Sequence, residues 1–148
     1  MSSPPDIEKT IGFALHHSSY LFKSALKNIF SAYHFDVTPE ELILLFLVKD
    51  GGNEQSELVK KSLKDKTNIT RLLSRMENKG FIKRTGHADN GRQQMVSITE
   101  AGVALRQKAL PLIQNMVTRA TEGINVAELE ITQNTLNHIS RNIKKNTL

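Results

Sequence analysis

The sequence predicts a mainly α-helical chain with one small β-hairpin, which places it in the α+β class. The main observation is that apolar residues recur at intervals of three and four, the period of an α-helix. Leu, Ile, Val and Phe also make up roughly 28% of the 148 residues, above the ~20% below which chains tend to stay disordered. The hairpin is predicted from two short extended segments that flank a turn-rich stretch.

Two helices are predicted in the first third of the chain. Residues 7–33 carry apolar side chains at the helical period throughout, which predicts one long helix. Residues 38–41, Thr-Pro-Glu-Glu, form a capping box with proline at the first helical position. The helix that starts there is expected to continue through Leu42–Val48 and to end at Gly51-Gly52.

The middle of the chain predicts two more helices followed by the hairpin. The helices are expected at about 55–62 and 66–79, and the second ends at Gly80. Its apolar stripe predicts a buried face of Ile69, Leu72, Leu73 and Met76. The strands are expected at 81–85 and 94–98, with the hairpin loop at 87–91.

Two helices are predicted after the hairpin. Thr99 can cap the first of them, and Pro111 is expected to interrupt and kink it. Asn125, with Glu128 three residues later, marks the start of the last helix.

The composition excludes several classes of protein. The chain has no cysteine, which rules out disulfides, thiolate zinc sites and cysteine nucleophiles. The longest apolar run, Leu42–Val48, has seven residues, whereas a membrane span needs ~20. Met1–Lys9 lacks the apolar core of a signal peptide. We therefore expect a soluble, cytoplasmic protein.

The positive charge is concentrated in one third of the chain. Residues 53–99 hold ten basic and five acidic residues, so they carry the whole net charge of +5. This concentration favours a polyanion-binding module over a uniformly solvated surface.

The same third reads as a helix-turn-helix followed by a β wing, an arrangement that inserts its second helix into the major groove of DNA. The polar side of that helix has no acidic residue and is predicted to contact DNA through Lys66, Thr67, Asn68, Thr70, Arg71, Ser74 and Arg75. Arg92 lies at the hairpin tip, where a guanidinium suits the minor groove. Asp89 is predicted to hold Arg92 in place through an ion pair.

The sequence resembles the MarR family of winged helix-turn-helix transcriptional regulators over about residues 37–112. The matching segments are Val37-Thr38-Pro39-Glu40-Glu41, Gln55-Ser56-Glu57-Leu58, 65–73 (DKTNITRLL), 76–82 (MENKGFI), Arg92 and 96–102 (VSITEAG). The resemblance adds Gln55 and Ser56 to the expected DNA contacts. It also implies one domain over 1–148, with a DNA-binding lobe at 37–99 and a helical dimerisation region at 6–35 and 100–146.

By the same resemblance, the protein is expected to be a homodimeric repressor that binds a pseudo-palindromic duplex DNA operator. A small aromatic or anionic effector would bind in a cleft that Tyr20, Tyr33, His16 or His17 could line, and its binding would release the protein from DNA. The residues leave open a winged-helix protein-interaction or RNA-binding module and a zinc-dependent regulator. No phosphate loop, G-x-S-x-G or H-E-x-x-H motif is present, so we expect no enzyme, no cofactor and no metal site.

Overall fold

A computed structural model describes residues 3–62, 65–87 and 90–146, with the side chains of 87 and 90–93 left outside the description. The chain divides into two compact units, Met1–Ile113 and Gln114–Leu148. We describe each unit by itself.

The described elements agree closely with the predicted order. They are α1 (Ile11–Ala32), α2 (Pro39–Leu47), β1 (Asn53–Glu54), α3 (Gln55–Ser62), α4 (Lys66–Asn78), β2 (Ile82–His87), β3 (Asn90–Ile98), α5 (Glu100–Ala120) and α6 (Val126–Asn146). The helix predicted over 7–33 is divided at Thr10, because the Thr10 side chain caps α1 by accepting from the Phe13 N–H at 3.2 Å. A short 3-10 turn, Ile7–Lys9, precedes this cap.

The predicted capping box at the start of α2 is confirmed. The Glu41 N–H donates to Thr38 Oγ1 at 3.2 Å, and the Thr38 N–H donates to Glu41 Oε2 at 3.1 Å. These two bonds satisfy donors that a helix start leaves without partners. The helix ends at Leu47, a few residues before the predicted Gly51-Gly52.

The β-sheet has three antiparallel strands in the order β1-β3-β2, so the prediction of a two-stranded hairpin alone was wrong. The added strand, β1, pairs Asn53 with Val96 and has only two residues, which is too short to show alternation in sequence. The hairpin strands are also longer than predicted. His87 pairs with Asn90, and a register shift next to Gly86 accommodates this closer turn.

The helix after the hairpin, α5, runs through Pro111 from Glu100 to Ala120, so the prediction that Pro111 interrupts it was wrong, while the predicted kink stays a prediction. Proline removes one N–H donor from the helix interior. The predicted start of α6 is confirmed, because Asn125 Oδ1 accepts from the Ala127 N–H at 2.8 Å.

The core of the first unit lies between α4 and its neighbours. The fully buried large apolar side chains are Leu44, Leu45, Leu58, Ile69, Leu73, Met76, Ile82, Val48 and Val96. All four side chains predicted for the buried face of α4 are buried. The opposite, polar face of α4 therefore points out of the core.

The start of α5 lies against the end of the hairpin at Gly102. A Cβ atom at this position would overlap the Phe81 carbonyl oxygen and the Ile98 side chain. Thr99 fixes the same junction, because its hydroxyl donates to the Gly80 carbonyl at 2.5 Å and accepts from the Gly102 N–H at 3.1 Å. Glycine is thus required here for close approach.

We predict that Gly102→Ala lowers the free energy of unfolding by ~1–3 kcal/mol, because the added methyl group overpacks this contact. Urea unfolding followed by circular dichroism measures the change. Gly12→Ala in α1 is the matched control, since open space surrounds that position, and it should be neutral or stabilising by up to ~1 kcal/mol. Equal effects of the two substitutions would contradict the packing argument.

Candidate nucleic-acid interface

The start of α4 is capped by Asp65. Its Oδ1 accepts from the Asn68 N–H at 2.7 Å, and its Oδ2 accepts from Asn68 Nδ2 at 3.0 Å. A carboxylate at a helix N-terminus accepts hydrogen bonds from N–H groups that have no partner within the helix, and its negative charge interacts favourably with the positive end of the helix dipole. The Asn68 side chain is exposed but is engaged by this cap.

Three of the predicted contact residues on α4 project freely into solvent. Lys66, Thr67 and Arg71 are exposed, and their side chains have no hydrogen-bond or ion-pair partner within the described part of the chain. Thr67 and Arg71 are four residues apart and so share one face of the helix. Ser56 at the start of α3 is also exposed, with only a long 3.5 Å contact to Glu54.

A hydrogen bond joins the start of α3 to α4. Gln55 Nε2 donates to Thr70 Oγ1 at 3.1 Å, and the Thr70 hydroxyl donates to the Lys66 carbonyl at 2.8 Å. Gln55 Oε1 is buried and accepts no hydrogen bond from the described residues. These contacts set the distance between the two helices of the helix-turn-helix.

An ionic cluster joins α4 to β2. The Arg84 N–H donates to Glu77 Oε2 at 2.8 Å, and Arg84 Nη2 lies 3.2 Å from Glu77 Oε1. The same Nη2 donates to Ser74 Oγ at 3.0 Å. The backbone hydrogen bond from Arg84, assisted by its guanidinium, holds the pKa of Glu77 below its ordinary value, although burial acts in the opposite direction.

A second ionic cluster joins the last turns of α4 to α2. Glu41 is fully buried, and its Oε2 lies 2.9 Å from Lys79 Nζ while its Oε1 lies 3.1 Å from Arg75 Nε. Asp36 adds a longer contact of 3.6 Å to Lys79. The Glu41 carboxylate, which also completes the capping box of α2, thus connects that cap to α4.

The structure therefore separates the predicted site residues into groups. Those with free exposed side chains are Lys66, Thr67 and Arg71, together with Ser56, while those with partners inside the protein are Gln55, Asn68, Thr70, Ser74 and Arg75. Arg92 lies in β3, but its side chain is outside the described part, and Asp89 lies outside the described residues altogether. DNA contact by any of them stays a prediction.

Sequence reasoning missed the acidic partners of these clusters. The sequence places Glu41 in a capping box and Glu77 within the basic third of the chain, and both in segments that resemble the MarR family, but it indicates no ionic partner for either. The Glu41–Arg75 pair joins residues 34 positions apart, so no local pattern in the sequence predicts it.

The described residues hold neither a group of three side chains suited to a metal ion nor a helix long and apolar enough to cross a membrane.

The arrangement of α3, α4 and the three-stranded sheet defines a winged helix-turn-helix protein. The model of the MarR family matches residues 37–93, a stretch that contains α2, α3, α4 and most of the hairpin. Over these residues the chain is similar to the MarR family, as its motifs indicated.

Two relatives are named as regulators of transcription. The HTH-type transcriptional regulator TtmR of Methylorubrum extorquens (strain PA1) is 27% identical over 105 residues, which cover 71% of this chain and 53% of that protein. The HTH-type transcriptional repressor YetL of Bacillus subtilis (strain 168) is 36% identical over 70 residues, which cover 47% and 42%. The chain spans about half the length of the curated relatives it matches. These relatives are regulators, not enzymes.

Solved structures share the fold over almost the whole chain. AbsC, a MarR family regulator of Streptomyces coelicolor, superposes with a TM-score of 0.83 at 17% identity and covers 99% of this chain and 100% of its own. MepR of S. aureus in a DNA complex superposes with a TM-score of 0.80 at 19% identity, and the match covers 90% of this chain and 98% of MepR. CouR of Rhodococcus jostii RHA1 bound to p-coumaroyl-CoA superposes with a TM-score of 0.79 at 22% identity, and the match covers 92% of this chain and 95% of CouR. At these identities the likeness shows the fold alone.

We predict that Glu77→Gln lowers the free energy of unfolding at pH 7 by ~0.5–1 kcal/mol, a small value because solvent screens this partly exposed pair. The folded-state pKa of Glu77 lies below its ordinary value of 4.5. The stabilisation is therefore present above pH 4.5 and is lost as the pH falls through the lower folded-state value.

Urea unfolding of both proteins between pH 7 and pH 3 tests this dependence. The difference between wild type and variant should shrink towards zero at the acidic end. Glu8→Gln, at an exposed residue with no ion pair among the described side chains, is the control. A difference that stays constant with pH would contradict a role for the Glu77 charge.

Proposed function

We propose that the protein is a homodimeric transcriptional regulator that binds a specific, pseudo-palindromic duplex DNA site and acts as a repressor released by a small-molecule ligand. It would act in the cytoplasm. Within the chain, residues 37–99 would form the DNA-binding lobe, and 6–35 with 100–146 the dimerisation region.

The free polar face at the start of α4 carries this proposal. Lys66, Thr67 and Arg71 are exposed and unpaired among the described residues. The exposed carboxylate of Asp65 accepts hydrogen bonds from Asn68 at the helix cap, and those of Glu41 and Glu77 pair with cations of the protein. The face thus offers hydrogen-bond donors and positive charge with no opposing free carboxylate on α4. Such a surface suits base edges and phosphates in a major groove.

Exposed apolar side chains in each of the two compact units support the proposal of a dimer. On α1, Ile11, Tyr20, Leu21 and Phe22 are exposed. On α6 no described residue is buried, and Ile131 and Ile143 are about 60% exposed or more. Apolar area on this scale is typical of surfaces that a partner subunit covers.

The proposed release by a ligand and the proposed role of the hairpin residues rest on similarity to other proteins. The CouR structure was solved with p-coumaroyl-CoA, an anionic molecule with an aromatic group, and YetL is named as a repressor. For this chain we propose an effector of aromatic or anionic chemistry near exposed Tyr20 and Tyr33, with His16 and His17 on the same helix. We retain Arg92 as a minor-groove contact that Asp89 orients.

Selection of bound sites from a random duplex pool tests the proposed function directly. An enriched, inverted-repeat sequence is the expected result, with gel shifts on that duplex as confirmation. Single-stranded RNA of matched length is the control. Preference for RNA, or for neither nucleic acid, would favour an RNA-binding or protein-interaction module instead.

We predict that Arg71→Ala weakens binding to the selected duplex by ~1–3 kcal/mol and relaxes base preference at one position of each half-site, because the lost guanidinium reads a base. Binding curves on the selected and on random duplexes measure both effects. Arg141→Ala, at an exposed position of α6, is the control. An equal loss on random DNA would show that Arg71 contacts phosphate and does not read sequence.

We also predict that the protein sediments as a dimer at micromolar concentration and that the centres of its half-sites lie roughly 10 bp apart, one turn of DNA. Analytical ultracentrifugation and the spacing in the selected sites give the two measurements. A monomer in sedimentation would contradict the proposed covering of the α1 and α6 apolar side chains.

A further inference from the structure

The three cations of α4 and Lys79, the residue that follows the helix, have different surroundings. Lys66 and Arg71 in the first half are exposed and have no ion-pair partner among the described residues. Arg75 and Lys79, in and just after the last turn, both contact the Glu41 carboxylate. Charge alone does not distinguish these residues in the sequence.

The Glu41 carboxylate requires these partners. Its side chain has no exposed area, and Oε2 accepts from Lys79 Nζ at 2.9 Å. Oε1 accepts no hydrogen bond from the described residues and lies 3.1 Å from Arg75 Nε, which supplies the compensating charge. Removing a carboxylate from water is costly unless cations and hydrogen-bond donors compensate for the lost hydration. A phosphate that drew both cations away would leave Glu41 buried without compensation.

We infer that Glu41 holds Arg75 and Lys79 as positioning residues, which fix α4 against α2, and that the DNA-contacting charge of α4 comes from Lys66 and Arg71. This inference rests on the proposed DNA-binding function. Of the seven α4 residues that the sequence predicts to contact DNA, the inference assigns Arg75 to positioning α4 and not to DNA contact.

The salt dependence of DNA binding distinguishes a cation that contacts phosphate from a cation that positions α4. Each phosphate that a cation neutralises contributes about 0.9 to the slope of log affinity against log salt concentration. Arg71→Gln should therefore reduce the slope by about 0.9 per protomer. Arg75→Gln should weaken binding by a similar factor at every salt concentration and leave the slope unchanged.

Replacing the Glu41 carboxylate changes the affinity for DNA in opposite directions, depending on whether Glu41 positions α4 or acts only as a negative charge. Glu41→Gln deletes a negative charge from the DNA-binding lobe, so electrostatics alone predicts tighter binding. If Glu41 positions α4, the folded variant should bind at least about fivefold more weakly, the low end for loss of one base contact. Glu40→Gln is the matched control, since its carboxylate is one residue away and pairs with Lys23 of α1 at 3.0 Å.

The experiment measures the affinity of wild type and the four variants for the selected duplex over a range of salt concentrations. Circular dichroism confirms folding at the assay temperature. Lys79→Gln, which removes the other cation that contacts Glu41, replaces Arg75→Gln if that variant does not fold, with the same expected result. A lower slope for Arg75→Gln, or tighter binding by Glu41→Gln, overturns the inference while DNA binding stands. Wild-type protein that binds no duplex overturns the inference and the proposed function together.

Discussion

The buried carboxylate of Glu41 is the contact that joins the end of α4 to the start of α2. It accepts a hydrogen bond from the Thr38 N–H and faces Arg75 of α4 and Lys79, the residue after that helix. The first contact belongs to the cap of α2, and the other two partners lie 34 or more residues later in the chain. One side chain thus couples the start of α2 to the end of α4, and its burial makes the loss of either partner costly.

The other contacts of α4 follow the same division along the helix. Gln55 bonds the middle of α4 to the start of α3, and Arg84 joins the later turns to β2 through Glu77 and Ser74. The apolar side of the helix packs in the core. The first turns expose Lys66 and Arg71, whose side chains have no ion-pair partner among the described residues.

Local signals in the sequence were sufficient for most of the elements. The α4 stripe, the capping box at Thr38 and the Asn125 cap each act over eight residues or fewer, and all three predictions are confirmed. The third strand was missed because Asn53 belongs to β1 only through pairing with distant Val96. For the same reason, the sequence did not distinguish Arg75 from Arg71, since the difference lies in a contact with α2.

The contacts also show where the surplus charge of the basic third is exposed. Within it, Arg75, Lys79 and Arg84 are paired with buried or partly buried carboxylates, so they add little to the field outside the protein. Lys60, Lys61, Lys66, Arg71 and Lys83 are exposed and have no carboxylate partner among the described side chains. Four of these five cations lie at the end of α3 and in the first half of α4, and the fifth, Lys83, lies in β2. A net charge distributed in this way attracts a polyanion to the part of the helix-turn-helix whose side chains are free to contact it.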